Sequence, residues 1–217
     1  MKGKMPYGEG FALAYALRAS LAPYCERIEM AGSLRRRKAE IGDIELVAIP
    51  KMMETRLDLF GESRAVVSRL DDVLAEMQYP ILKSGSRYKQ FGLPQGITCD
   101  LFLQPDPATW GVNFTIRTGS ADFAQWLVTD RRLGGAKPGF LTIRDALVWH
   151  GGEIVPTPEE EDFFRVLGVK WIAPEGRTAG AWGKAAQRWL VEPALKREKH
   201  HESPARTPGT MFHELAE

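Results

Sequence analysis

The segment spanning residues 32–50, GSLRRRKAEIGDIELVAIP, constrains the fold more than any other part of the chain. Its second half, DIELVAIP, alternates acids with aliphatic residues, then becomes continuously apolar and stops at a proline. That pattern predicts a strand, in which successive side chains point to opposite faces. Asp43 and Glu45 then share one face, while Ile44, Leu46 and Ala48 turn to the other, apolar one. Two carboxylates held side by side repel each other unless a cation lies between them. Mg2+ prefers such hard oxygen ligands and leaves positions for substrate phosphates.

Ten residues before Asp43, Gly32 and Ser33 end the predicted strand RIEM and lead into four consecutive cations, Arg35 to Lys38. A Gly-Ser turn lets backbone N–H groups and a hydroxyl approach an anion closely. Arg35 and Arg36 add forked donors that fit phosphate oxygens. Taken singly, a cation run reads as solvated surface and an Asp-x-Glu pair as exposed strand. In this order they match the general nucleotidyltransferase pattern, which calls for a third carboxylate on a neighbouring strand. TCDLFLQP supplies it: Asp100 sits in an apolar strand where a charge needs a reason.

Around this segment the chain reads as α+β. GFALAYALRASLAP has helical apolar spacing and ends at Pro23. SRAVVSRLDDVLAEM reads as a second helix, PILKSGSRYKQFGLP and QGITCDLFLQP as strands, giving a mixed sheet with helices on one side. Beyond Pro105 the texture changes. FTIRTGSADFAQWLVTDRRL reads as a strand, a turn at Thr118-Gly119-Ser120 and a helix capped by Ser120. GFLTIRDALVWHGGEIVPTPEEEDFFRVLG reads as two strands around Gly151-Gly152, then a helix capped at Thr157 and ended by Gly168. The remainder holds one short helix and a polar, mixed-charge tail.

Composition narrows the function classes. The 217 residues carry a formal net charge of +1, so any polyanion site has to come from local clustering. Two cysteines make no disulfide framework and read as small core residues. The four histidines have no metal-ligand spacing with them, and the His200-His201 pair reads as inert. No stretch approaches the roughly 18 uninterrupted apolar residues of a membrane span, and no leader pattern opens the chain. A cytoplasmic monomer is expected. Lys83, Arg87 and Lys89, with Tyr88 and Phe91 interleaved, read either as a nucleic-acid backbone groove or as an edge strand guarded by cations.

AGSLRRRKAEIGDIEL, ITCDLFL, TGSADF and TPEEEDFFRVLGVKWIAPEGR, in that order, resemble the blocks of a family X DNA polymerase, the group of DNA polymerase beta. The resemblance spans residues 7–177. It implies a nucleotidyltransferase palm over residues 1–105, a small α/β thumb subdomain over 106–177 and an extension over 178–217. It further implies that Gly32, Ser33, Arg36 and Gly42 hold the triphosphate. Asp43, Glu45 and Asp100 would bind two Mg2+ ions, with Mn2+ as a substitute, and Asp100 would activate the primer 3′-hydroxyl. Thr118, Gly119, Ser120 and Phe123 would meet the nucleotide sugar and base. The partners implied are a (d)NTP and a DNA primer/template or other nucleic-acid 3′ end.

The chain also departs from the family. The second metal acid is Glu45 rather than Asp. Ile116 and Arg117 replace an aromatic pair before Thr-Gly-Ser, and Ala124 and Val128 replace template-facing Asn and Arg, with Arg131 and Arg132 a turn further on. The 31 residues before Gly32 leave no room for lyase and helix-hairpin-helix regions. A minimal or template-relaxed polymerase is the expectation. The alternatives are transfer to a protein or small molecule, and a degenerate core that only binds nucleic acid.

Overall fold

The computed structural model describes residues 3–56, 64–104, 106–180 and 182–196. Strand β1 (Met5–Pro6) leads into helix α1 (Tyr7–Leu21), which buries Ala14, Leu17 and Leu21 on one face. Strand β2 (Cys25–Met30), the short helical turn α2 (Gly32–Arg35), β3 (Glu40–Ile41) and β4 (Asp43–Pro50) follow. A ribbon of β5 (Met52–Arg56) and β6 (Arg64–Ser68) precedes α3 (Leu70–Glu76). Strands β7 (Ile81–Ser84), β8 (Tyr88–Gly92) and β9 (Thr98–Leu103) complete a five-stranded sheet in the order β2-β4-β9-β8-β7. Only β4 and β9 run parallel; the other pairs are antiparallel, so the sheet is mixed.

The sheet has two unlike faces. Ile44, Leu46, Ala48, Cys99, Leu101 and Leu103 meet α1 and α3 in one core. Both cysteines are buried and free, as small core residues should be. On the opposite face, Val47, Ile49 and Phe102 are covered by Trp110 and Phe114 of α4 (Trp110–Thr118). The cover reaches only the apolar end of β4 and leaves the end bearing Asp43 and Glu45 uncapped by it. One sheet face therefore changes from packed to polar along a single strand.

The second unit holds α5 (Ala121–Val128), a three-stranded antiparallel sheet of β10 (Leu141–Arg144), β11 (Leu147–His150) and β12 (Glu153–Val155), and α6 (Glu160–Leu167). Phe123, Trp126, Leu127, Val148, Phe163, Phe164 and Leu167 form its core. A reciprocal capping box between Glu159 and Asp162 opens α6, and Gly168, at φ 64°, closes it. Trp171 lies across Phe164 at 5.1 Å and stays 43% exposed, short of a core role.

The structure corrects the sequence reading in several places. Val66 and Val67 lie on a strand, and α3 begins only at Leu70, because β5 offers this β-branched run a ladder. FTIRT is helical: Trp110 and Phe114, four residues apart, must face the sheet together, and that burial overrides strand propensity. The hairpin after Leu141 has a third strand. Finally, α6 is capped by Glu159 rather than Thr157, which is buried and accepts from Gly111 through its carbonyl. The expected short helix after Arg177 is a 3-10 turn over Lys184–Trp189. The polar tail beyond residue 196, with the His200-His201 pair, lies outside the described residues. Among the described residues no helix is long and apolar enough to cross a membrane.

Candidate active site

The register places the three acids together. Glu45 is directly paired with Asp100 across the parallel β4–β9 ladder, and Asp43, two residues before Glu45, lies on the same face. Asp100 accepts from Tyr88 Oη and Gln90 Nε2 at one carboxylate oxygen, Oδ1, each at 2.7 Å. Gln90 faces Asp100 across β8–β9, so this clamp is written into the ladder. Burial raises the Tyr88 hydroxyl to about 12, with the Asp100 hydrogen bond adding to it, so Tyr88 stays a donor.

Glu45 carries the strain of the arrangement. Burial first, and repulsion from Asp43 second, raise it to about 7, against the opposing charge of Arg36. Its carboxylate lies against Gly32, whose φ is +59° and where a Cβ would overlap Glu45 Oε2. Glycine is therefore required at position 32 on two grounds, conformation and space. Ala31 N donates to Glu45 O at 2.8 Å and ties the turn to the strand. Ser33 Oγ, one residue on, is buried without a hydrogen-bond partner among the described residues. Gly42 stands in open space, where no neighbour demands glycine.

The cation run divides by direction. Arg36 Nη1 donates to the Thr118 carbonyl at 2.6 Å, and its Nε is buried without a hydrogen-bond partner among the described residues. Burial lowers its pKa, against the pull of Glu45, Asp43 and Asp122. Arg35 turns to the second unit: it donates to Thr118 Oγ1 at 2.7 Å and to Glu160 Oε2 at 2.6 Å, with its guanidinium 3.9 Å from the Phe114 ring centre. Glu160 is 3% exposed and Arg177 fully buried, joined at 2.5 Å. Burial alone would raise Glu160; Arg35 and Arg177 more than offset it and hold the carboxyl below its usual range. Arg37, in contrast, makes a 3.2 Å surface pair with Glu175.

Thr118, Gly119 and Ser120 link the two units where α4 meets α5. Ser120 N donates to the Arg177 carbonyl at 3.0 Å, and Ser120 Oγ bonds Asp122, which also accepts from Gly180 N. Gly119 is pressed against the Phe123 ring, which a Cβ there would enter. Phe123 itself is fully buried beside Trp126 and Trp182, so it shapes the turn from beneath and is corrected from nucleotide contact to core.

Of the strand cations, Lys83 and Arg87 are exposed, whereas Lys89 is 5% exposed with its ammonium held by Asp71 and Ser84. Lys89 is thus removed from any backbone groove. Arg117 is a site residue that the sequence reading noted only as a departure. Its guanidinium lies 3.9 Å over Phe102, and burial lowers its pKa against Glu45, Tyr88 and Asp100. Reading FTIRT as a strand hid this, since only a helix carries residue 117 back to the acid row.

The donors suit a hard divalent cation. All are carboxylate oxygens, one is desolvated beside a like charge, and glycine makes room beneath it. Among the described residues, no three Asp, Glu, His or Cys side chains form a group that could hold a metal ion. Mg2+ does not need such a group from the protein alone, because it keeps waters and takes substrate phosphates as ligands.

A mixed sheet with an acid row at one end, joined through a Thr-Gly-Ser turn to a small α/β unit, is a palm-plus-thumb architecture. Residues 115–178 match the family model described as DNA polymerase beta thumb, so this segment of the chain is similar to that thumb. No curated protein matches the chain.

Proposed function

We propose that the chain transfers a nucleotidyl unit from a (d)NTP to the 3′-hydroxyl of a nucleic acid, with DNA as the polymer, and releases pyrophosphate. The observation that carries this reading is the acid row of Asp43, Glu45 and Asp100 beside the Gly32-Ser33 turn, with Arg36 reaching from that turn to the thumb-linking Thr118. In this reading the unpartnered Ser33 hydroxyl and the Arg36 guanidinium take triphosphate oxygens. Asp100, with Oδ1 already occupied, offers Oδ2 to the 3′-hydroxyl. As the 3′-oxygen bonds the α-phosphorus, the bond from that phosphorus to the bridging oxygen breaks. Pyrophosphate departs with the electron pair, and the hydroxyl proton passes to Asp100. Two Mg2+ ions held by Asp43, Glu45 and Asp100 would supply Lewis-acid neutralisation of the phosphates.

Template reading is relaxed in this proposal, because Ala124 and Val128 on α5 carry no hydrogen-bonding side chain. The thumb favours a polymer acceptor over a protein or small molecule. The test is a primer-extension panel with Mg2+ or Mn2+, using each dNTP and NTP on single-stranded, gapped and duplex ends. Wild type is expected to add nucleotides and Asp100→Ala to add none. Failure of wild type on every end, with every nucleotide, would reject the proposal.

A further inference from the structure

Leu133 is 79% exposed, the most exposed large apolar side chain among the described residues. A single leucine on a surface is ordinary; this one stands beside a hollow. A cavity of about 280 Å3 opens next to it, lined by Trp126, Trp182, Asp122 and Thr129 among others, with Leu133 itself in the wall. The two indole rings lie 5.1 Å apart, and Trp126 is buried. Leu133 borders this aromatic hollow but, at its exposure, does not fill it in its own chain.

Tip and hollow are held in a fixed relation. Asp130 accepts from Leu133 N through its carbonyl at 2.9 Å and from Arg132 N through its carboxylate at 2.8 Å, which shapes the turn Arg131–Leu133. Two residues on, a Cβ at Gly135 would overlap the Thr129 carbonyl, so the loop lies tight against the end of α5.

The chemistry of the tip matches that of the hollow. Asp122 is the one ionisable side chain in the lining among the described residues. Next to Leu133, the Arg132 side chain is 83% exposed, paired only with Asp130 of its own turn among the described residues. The tip thus carries a cation beside an apolar group, and the hollow a carboxylate beside two aromatic rings. The Trp126 indole N–H is also buried without a hydrogen-bond partner among the described residues, a donor suited to a backbone carbonyl brought from outside. A tip that fits a hollow adjoining it on the same surface is self-complementary, which is what a two-fold contact between identical chains requires.

We propose that this face of the thumb is a contact between two copies of the chain. Leu133 of each copy enters the Trp126–Trp182 hollow of the other, and Arg132 of each meets Asp122 of the other. Asp122, Gln125, Trp126 and Thr129 follow at i, i+3, i+4 and i+7 and share one stripe of α5, whereas Ala124 and Val128 lie on a different one. No residue of the acid row or the Gly32-Ser33 turn lines the hollow. The contact is therefore independent of the proposed transfer and leaves that site open. With one leucine and one ion pair from each copy, it belongs with interfaces below about 1,200 Å2 in total, whose association is weak and reversible.

The experiment is sedimentation equilibrium of the full chain from about 1 μM to about 1 mM, where a monomer–dimer equilibrium with a Kd of about 10–500 μM is expected. Leu133→Asp should weaken it by at least about tenfold, because it puts a charge where the hollow is aromatic. Arg132→Glu should weaken it several-fold by setting like charges against each other. Both side chains are exposed, so neither change disturbs the core. Leu82→Asp, at an exposed leucine on the edge strand β7, should leave it unchanged. A chain that stays monomeric at about 1 mM leaves the hollow to a different protein and overturns the proposal. A dimer that persists undiminished in Leu133→Asp and Arg132→Glu places the contact elsewhere and does the same. Equal weakening by Leu82→Asp would assign the association to the sheet edge and also overturn it.

Discussion

Arg35 and Arg36 are neighbours in the chain and belong to two opposite kinds of charged site. Arg35 enters the palm–thumb joint, where Glu160 is held by two guanidinium groups and every carboxylate oxygen is used. Arg36 borders the acid row, where Glu45 is half-buried beside Asp43 and pushed up to about 7. The joint balances its buried charges in direct ion pairs, whereas the acid row crowds like charges, and Arg36 and Arg117 offset only part of the rise at Glu45. Balanced burial marks a structural device and crowded like charge a functional one, even when consecutive residues border them.

Breaking the joint should have the largest effect on stability. Glu160→Ala leaves Arg177 buried without its partner, and removing one member of such a pair costs about 3–5 kcal/mol. Urea denaturation should show that loss; a change below about 1 kcal/mol would mean the joint contributes little beyond packing.

The acid row should respond to pH with the opposite sign. Glu45 ionises near 7 in the folded chain and from its ordinary 4.5 when unfolded. Between these values the unfolded chain holds fewer protons, so stability falls as pH rises, by about 3 kcal/mol in metal-free buffer, and then levels off. Glu45→Gln should flatten this slope and be more stable than wild type at pH 8. Glu160, held below its usual range, contributes stability at neutral pH that is lost on acidification. Thermal unfolding from pH 4 to 8 of wild type, Glu45→Gln and Glu160→Gln would separate the slopes; identical profiles for wild type and Glu45→Gln would contradict the comparison.

Arg27→Ala should cost less. Arg27 makes a bidentate pair with Glu159 across the same joint and lies 4.3 Å over Trp110, but the pair is partly exposed, and the expected loss is about 1 kcal/mol. Lys4→Ala, which removes an exposed pair with Glu40, should change the denaturation midpoint hardly at all.

The acid row was legible in the sequence because a strand's alternation fixes which residues share a face, and Asp43, Glu45 and Asp100 all obey it. The Gly-Ser turn was legible because few residues other than glycine suit position 32. Helix α4 was not, since FTIRT has strand-like composition and becomes helical only because Trp110 and Phe114 must cover Val47 and Phe102. That one misreading hid Arg117. Phe123 and Lys89 misled for a related reason: residue type suggested contact with a ligand, but packing turned Phe123 into the thumb core and gave Lys89 to Asp71. Periodicity reports the face of an element and is silent on what later packs against that face.

The most direct test of the central claim is incorporation of a labelled nucleotide at a nucleic-acid 3′ end by wild type and by Asp43→Ala, in Mg2+ and in Mn2+. If the acid row binds the cations of the proposed transfer, removing Asp43 should take away several kcal/mol of transition-state stabilisation, a drop of about 10³-fold or more. Wild type should extend the end and Asp43→Ala should not, with both proteins equally folded by circular dichroism. Equal incorporation by the two would contradict it.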